Sequence, residues 1–88
     1  MACYVDALGN YGWVLRGHRV RNCHLIADSL DELHAMAVAI GMKRSWYQPT
    51  SSPHYDLTEP RRAHAVELGA VELDRRTFVG KLRELRSR

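Results

Sequence analysis

The sequence predicts an α+β fold, in which residues 1–88 form a single small domain with a short mixed sheet of three to five strands and about three helices. Apolar runs of strand length alternate with segments of helical periodicity, and recognisable start and stop residues bracket the helical segments. The chain has 88 residues, of which 45% are hydrophobic. That is enough apolar material for one modest core but not for two.

The first strand is predicted at Ala2–Val5, an apolar run that ends at an aspartate. The segment after it has two interpretations. Gly17 and His18 separate Trp13–Leu15 from Arg19–Arg21, and glycine at the first central position is typical of a type II′ hairpin turn. Because arginines interrupt the apolar alternation, a mobile basic loop is the alternative.

The central helix carries the strongest local signal and is predicted from about Ser29 to Ile40. Ser29 precedes Glu32 by three residues, which is the spacing of a capping box, and Gly41 supplies a left-handed stop. His34 borders the apolar face of this helix. It is therefore either a hydrogen-bonded core histidine or part of a site.

Strands are predicted on both sides of the central helix, at Cys23–Ala27 and at Arg44–Gln48. The first places Leu25 and Ile26 on opposite faces, so we expect helices or loops to cover both faces of the sheet. A strand, a helix and a strand in succession form by default a right-handed parallel crossover. The two strands are accordingly predicted to run parallel.

A second helix is predicted over residues 58–68, with Thr58 as N-cap and Gly69 as its end. Arg61 and Arg62 fall in its first turn, where the helix dipole disfavours cations. Such a placement is expected if an anion lies there too. Asp56 or a bound phosphate or carboxylate would serve.

The final elements are a short strand at Ala70–Leu73 and a third helix at 75–86 that Asp74 caps. Residues 75–88 contain six basic residues and one acid, so their net charge is +5. Residues 1–74 have a net charge of −2, which gives the total of +3. This helix is a candidate surface for nucleic acid. The predicted contacts are Arg76, Lys81 and Arg83.

Composition indicates a cytoplasmic protein. No apolar run approaches the ~20 residues that cross a bilayer, and the N-terminus lacks the features of a secretory signal, so no membrane association is expected. Cys3 and Cys23 form no CxxC motif and are expected to be reduced thiols.

Several segments resemble the small bacterial and phage-borne family catalogued as domain of unknown function 4031. The segments read HLIADSLDELHAMA, WYQ, PHYDL and RRAHAVELGAVEL, and the resemblance covers nearly the whole chain. The residues that match its pattern are Tyr4, Asp6, His24, Asp28, Glu32, His34, Trp46, His54, Tyr55, Asp56 and Arg61. The resemblance implies no activity and supports only the choice of residues.

Two related hypotheses describe a polar site that binds an anion, phosphate or nucleotide. In the first, a divalent metal is held by His24, His34, His54 and Asp56. A metal-bound water then attacks a phosphoester whose charge Arg61 or Arg62 neutralises. In the second, no metal takes part and the catalytic residues are His54, His34 and Asp56, with one histidine as general base.

Structural roles explain the same residues equally well. His34 can be a core residue, Asp28 a helix-entry residue, Asp56 a helix cap or a partner of Arg61, and His54 a residue bonded to its own loop. Tyr11, Tyr47 and Trp13 are interpreted as packing aromatics because no strand repeats them at alternating spacing. The sequence thus leaves open whether the protein is an enzyme or a non-enzymatic module that binds nucleic acid or a protein partner, and it does not give the oligomeric state.

Overall fold

In the computed structural model, which describes residues 2–87, a mixed four-stranded sheet carries the fold. The strands are β1 (Cys3–Val5), β2 (Val14–Leu15), β3 (His18–Arg19), β4 (Asn22–Ala27), β5 (Tyr55–Thr58) and β6 (Val71–Glu72). The helices are α1 (Leu30–Ala39), α2 (Glu59–Glu67) and α3 (Arg75–Arg86), with a 3-10 turn at Arg44–Trp46. The predicted α+β class is confirmed.

The sheet has the order β5-β4-β1-β6, and its central strand β4 is antiparallel to both neighbours, whereas β1 and β6 are parallel. The predicted parallel crossover was therefore wrong. Arg44–Trp46 forms a 3-10 turn, and the strand that returns beside β4 is β5. The ring of Trp46 lies near the Lys43 and Arg61 cations instead of on a pleated surface. Gln48 pairs with His54 only through an isolated bridge.

Both faces of the sheet are covered, as the pattern of β4 predicted. Leu25 and Ile26 are 0% and 1% exposed although consecutive strand residues point to opposite faces. Leu25 and its neighbour Leu57 on β5 lie on one face, which packs against α1 and α2 to form the main core. The other face carries His24 and Ile26, and the ring of Phe78 from α3 lies 6.4 Å from the His24 ring. A functional site on the second face can therefore form without interrupting the main core.

The predicted caps are confirmed at both ends of α1. The Ser29 hydroxyl accepts a hydrogen bond from the Glu32 backbone N–H at 3.2 Å and donates to its carboxylate at 2.9 Å. Gly41 has φ +79°, the left-handed conformation that glycine adopts without strain. Asp74 likewise accepts from the Thr77 backbone N–H at 2.8 Å and begins α3. Within residues 2–87, no helix has both the length and the apolar character needed to cross a membrane.

The hairpin interpretation of residues 14–19 is confirmed, but its turn lies one residue earlier than predicted. The central residues are Arg16 and Gly17, with φ of 51° and 80°. Positive φ at both positions is the type I′ pattern, which matches the twist of a two-stranded ribbon better than other turns. Glycine therefore occupies the second central position and not the first.

Helix α3 is anchored to the sheet by a partly buried cation, Lys81. The Lys81 ammonium lies 3.2 Å from an Asp28 carboxylate oxygen and 4.8 Å from the centre of the Tyr4 ring. The Tyr4 hydroxyl and the Ala2 backbone N–H donate to the same carboxylate. Asp28 thus ties the first strand and the last helix together.

Both cysteines are buried free thiols. Burial raises the pKa of Cys3 to about 11 and that of Cys23 to about 12. The two thiols are consequently uncharged at neutral pH and are poor nucleophiles and metal ligands.

Replacing the helix cap by Ser29→Ala is expected to lower the free energy of unfolding by about 0.5–2 kcal/mol, because the Glu32 N–H loses its acceptor. Urea unfolding followed by circular dichroism measures this change. Ser51→Ala, in an exposed loop, is the matched control and should change it by less than about 0.5 kcal/mol. Equal effects of the two substitutions would contradict the assigned cap.

Candidate metal centre

The pairing of β4 with β5 places His24 directly opposite Asp56. Opposed residues of an antiparallel pair have neighbouring side chains on the same face of the sheet. The His24 Nε2 atom lies 3.7 Å from Asp56 Oδ1. Both side chains are partly buried on the face opposite the main core.

His54 joins this pair from the segment just before β5. Its backbone is fixed by two hydrogen bonds with Gln48, of 3.0 and 3.3 Å. Its Nε2 atom lies 3.4 Å from Asp56 Oδ1, and its ring meets the His24 ring edge to face at 5.5 Å. His24, His54 and Asp56 each offer a ligand atom, and these atoms all lie within 4.8 Å of one another. We call these three residues the ligand cluster.

Each member of the ligand cluster is oriented by a hydrogen bond to a residue outside the cluster. His54 Nδ1 donates to the Ser52 carbonyl at 2.8 Å, and because a carbonyl only accepts, the proton must lie on Nδ1. His24 Nδ1 lies 2.9 Å from Asp6 Oδ2, which accepts from it. Gln48 donates to Asp56 Oδ2 at 2.6 Å. These bonds leave both Nε2 atoms and Asp56 Oδ1 directed toward one another.

Asp6 was not among the predicted site residues. It is 8% exposed, and its second oxygen accepts from the His24 backbone N–H at 2.7 Å. The sequence signals were a carboxylate at the end of an apolar strand and a match to the family pattern, and neither assigned it a role. Its significance depends on β1 lying beside β4, which no local pattern reveals.

The ligand cluster contains a coupled acid and base. The hydrogen bond with Asp56 raises the pKa of His54 above its ordinary value of 6.5, although burial opposes the shift. The same hydrogen bond from His54 lowers the pKa of Asp56 below its ordinary 3.8, against the effect of burial. Without a metal, the two side chains therefore form an ion pair in mildly acidic solution.

His34, predicted as a metal ligand and catalytic residue, lies on the other side of the sheet. Its Nδ1 atom is 2.8 Å from the Tyr55 hydroxyl, and its ring contacts the Tyr47 ring edge to face at 4.6 Å. Burial, followed by the nearby Arg44, lowers the pKa of His34. Because Tyr55 and Asp56 are consecutive strand residues, their side chains point to opposite faces and hold the two histidine environments apart. Asp28 also lies away from the ligand cluster, in the anchor of α3.

The two arginines of the first turn of α2 have protein partners. Arg61 Nη1 donates to the Ile40 carbonyl at 3.2 Å, at the C-terminal end of α1, where the dipole favours a cation. Its guanidinium lies 5.5 Å from the centre of the Trp46 ring. Arg62 donates to the Asp6 carbonyl and to the Glu72 carboxylate, both at 2.9 Å. These contacts account for their positions without a bound anion.

The predicted nucleic-acid contacts on α3 differ in exposure. Arg76 and Arg83 are exposed. The Lys81 side chain is 17% exposed and pairs with Asp28 and with Glu84. Two of the three predicted cations are thus presented to solvent.

Two clefts border the ligand cluster. The histidine cleft, of about 450 Å³, is lined by His24 and His54 together with Asp6, Tyr11, Arg75 and Phe78. The tryptophan cleft, of about 640 Å³, is lined by Asp56 together with Trp13, Trp46, Gln48 and Arg61. Both volumes lie within the range of small-molecule sites. The ligand cluster therefore stands in the wall between two cavities.

A family model described as "Protein of unknown function (DUF4031)" matches residues 4–85. The matched range includes the ligand cluster and the residues that orient it. Neither a curated protein nor a solved structure matches the chain. The chemistry must therefore be inferred from the geometry.

In metal-free protein, Asp56→Asn should lower stability more at about pH 5.5 than at about pH 8.5. The raised His54 pKa gives stabilisation below about pH 6.5 that is lost as pH rises through the folded pKa. The lowered Asp56 pKa gives stabilisation above about pH 4 that is lost as pH falls. We expect a difference of up to about 1 kcal/mol, measured by chemical unfolding with chelator present. A cost that does not change with pH would contradict the ion pair.

Proposed function

The chain belongs to the DUF4031 family of proteins of unknown function, and we propose that it is a metal-dependent phosphoester hydrolase in which the ligand cluster holds one divalent transition metal ion. The convergence of two imidazole nitrogens and one carboxylate oxygen carries this proposal. The donor set and its distances bear on the metal, the number of protein ligands bears on the reaction, and the neighbouring arginines bear on the substrate.

The donor set favours zinc or a similar ion over magnesium. Imidazole nitrogens are preferred ligands of zinc, iron, copper and nickel, whereas magnesium prefers oxygen ligands and retains water. His24 donates its other ring N–H to a carboxylate and His54 donates its own to a backbone carbonyl. Partners of this kind fix the tautomer of metal-binding histidines and raise their basicity.

The distances suit a tetrahedral ion. Two ligand atoms that lie about 2.0–2.2 Å from a tetrahedral zinc ion are about 3.3–3.6 Å apart. Asp56 Oδ1 lies 3.4 Å from His54 Nε2 and 3.7 Å from His24 Nε2. All three ligand atoms lie within 4.8 Å of one another, so movement of the two imidazoles toward one ion would complete the geometry.

Three protein ligands, His24, His54 and Asp56, would leave one coordination position open for water, as in catalytic zinc sites. A bound ion would act there as a Lewis acid that lowers the pKa of the water and polarises a phosphoryl oxygen. In the overall reaction, the water oxygen would bond to phosphorus as the bond to the leaving alcohol breaks, and the proton that the water loses would pass to the alcohol oxygen.

Cations stand on both sides of the ligand cluster. Arg75 lines the histidine cleft and Arg61 lines the tryptophan cleft. A phosphate at the metal would thus have a guanidinium within either cavity. In this proposal Arg61 keeps the anion-binding role that the sequence predicted, whereas Arg62 supports Asp6 and Glu72.

Nucleic-acid binding is a second candidate function, favoured by the exposure of Arg76 and Arg83. They are seven residues apart on α3 and therefore lie on the same side of the helix. Two exposed arginines on one face, near the exposed Arg86, give an electrostatic surface for phosphates. This function requires no metal.

We expect tag-free protein to bind one zinc ion per chain and to hydrolyse a nitrophenyl phosphodiester only when metal is bound. His24→Ala and His54→Ala should weaken zinc binding by more than about 100-fold, and Asp6→Asn by about 10- to 100-fold, because Asp6 only orients a ligand. Calorimetry in competition with a chelator measures affinity, and release of nitrophenol measures hydrolysis.

His64→Ala and His34→Ala are the matched controls, since one histidine is exposed on α2 and the other lies across the sheet. Both should retain zinc affinity. If wild-type protein binds neither zinc, manganese nor cobalt, the metal proposal is wrong. If metal binds but no metal form hydrolyses the phosphodiester, the proposed reaction is wrong and only the proposed metal site is supported.

For the second candidate function, Arg76→Glu with Arg83→Glu should abolish binding to DNA or RNA at about 50 mM salt, where phosphate contacts are strongest. Arg16→Glu with Arg19→Glu on the β2–β3 hairpin makes the same change of charge and is the control. Fluorescence anisotropy over a range of salt concentrations measures both. Equal losses in the two double variants would show dependence on net charge alone and exclude α3 as the interface.

A further inference from the structure

We propose that the tryptophan cleft binds the base of a nucleotide, which makes the substrate of the neighbouring metal site a mononucleotide or a close derivative. The inference rests on the proposed function, because Asp56 belongs both to the ligand cluster and to the wall of this cleft. It adds the class of substrate, which the ligand cluster alone does not specify.

Two aromatic rings in the wall of the cleft, those of Trp13 and Trp46, lie outside the main core. Trp13 precedes β2 and Trp46 ends the 3-10 turn, and they are the two tryptophans of the chain. Trp46 is 43% exposed, and Trp13 is partly buried. Large aromatic side chains gain most by burial. Two tryptophans left beside a cavity therefore indicate a surface that a flat apolar ligand covers.

Positive charge adjoins the aromatic wall. The Arg61 guanidinium and the Lys43 ammonium lie 5.5 and 5.6 Å from the centre of the Trp46 ring. The hydrogen bond to Ile40 uses one of the five N–H donors of Arg61. An aromatic wall beside cations suits a planar ring that carries an anionic group. A nucleotide combines both, whereas an aliphatic phosphate would use only the positive charge.

Polar groups in the wall can pair with the edge of a base. Gln48 and Thr58 supply a carboxamide and a hydroxyl. A few convergent polar groups in an apolar cavity are the usual composition of a small-molecule site.

Tryptophan fluorescence can detect a ligand in the cleft, because both tryptophans of the chain lie in its wall. With chelator present, AMP, GMP, CMP and UMP are titrated into the 88-residue protein and tryptophan emission is recorded. Free N-acetyltryptophanamide corrects for absorption by the base. We expect saturable quenching by at least one nucleotide, weaker quenching by its nucleoside, and none by ribose 5-phosphate or inorganic phosphate. Quenching by none of the four nucleotides would overturn the proposal.

Variants separate stacking from folding. Trp46→Ala and Trp13→Ala should each weaken binding by about 5- to 150-fold, the effect of losing one base–aromatic contact. Trp46→Phe should bind the nucleotide with an affinity within a few-fold of wild type. Val38 is exposed on α1, and Val38→Ala should have wild-type affinity. The remaining tryptophan is the reporter in each variant. Equal affinity of wild type and both alanine variants would contradict stacking.

Two further binding measurements test whether the cleft binds a mononucleotide independently of the metal site. His54→Ala removes a metal ligand and should still bind the nucleotide in chelator, so failure of the metal site and failure of the cleft give different results. A single-stranded oligonucleotide should bind no more than about tenfold more tightly than its mononucleotide. Much tighter binding would mean that the cleft serves a polymer, and the mononucleotide assignment would then be wrong.

Discussion

The antiparallel pairing of β4 with β5 is the constraint on which the rest of the site depends. This register sets His24 opposite Asp56 and, because strand residues alternate, directs Leu25, Tyr55 and Leu57 into the main core. A slip of one residue would move the carboxylate into the core and apolar side chains into the site. The packing that stabilises the sheet therefore also fixes the ligand cluster. A single register serves stability and chemistry together.

Orientation of the ligands comes from residues outside the ligand cluster. Asp6 at the end of β1 holds one imidazole, the Ser52 carbonyl holds the other, and Gln48 holds the carboxylate. These partners come from two segments of the chain, the end of β1 and the connection that precedes β5. The site is thus prepared by the fold as a whole, and its polar groups are paired even though they are partly buried. Polar groups that are paired in this way cost far less to bury than isolated ones.

Local features of the fold could be predicted from the sequence, because each depends on a few neighbouring residues. The cap at Ser29, the stop at Gly41 and the cap at Asp74 are of this kind. Long-range pairing could not be predicted. The antiparallel return of the chain, the closeness of Asp6 to His24 and the separation of His34 from His54 all depend on which strands become neighbours. Residues 44–46 were misassigned because an aromatic residue favours a strand by propensity, whereas in the fold the Trp46 ring lies beside two cations.

In the proposed metal centre, two imidazoles present Nε2 to one ion while Nδ1 stays protonated. Nitrogen-15 NMR of histidine-labelled protein at mildly alkaline pH tests this arrangement, because ring nitrogens report protonation and metal ligation separately. We expect His24 and His54 to be Nδ1–H tautomers whose Nε2 signals shift together with one equivalent of zinc, while His18, His34 and His64 stay unchanged. An Nε2–H tautomer at either residue, or a zinc response at the other histidines instead, would contradict the account.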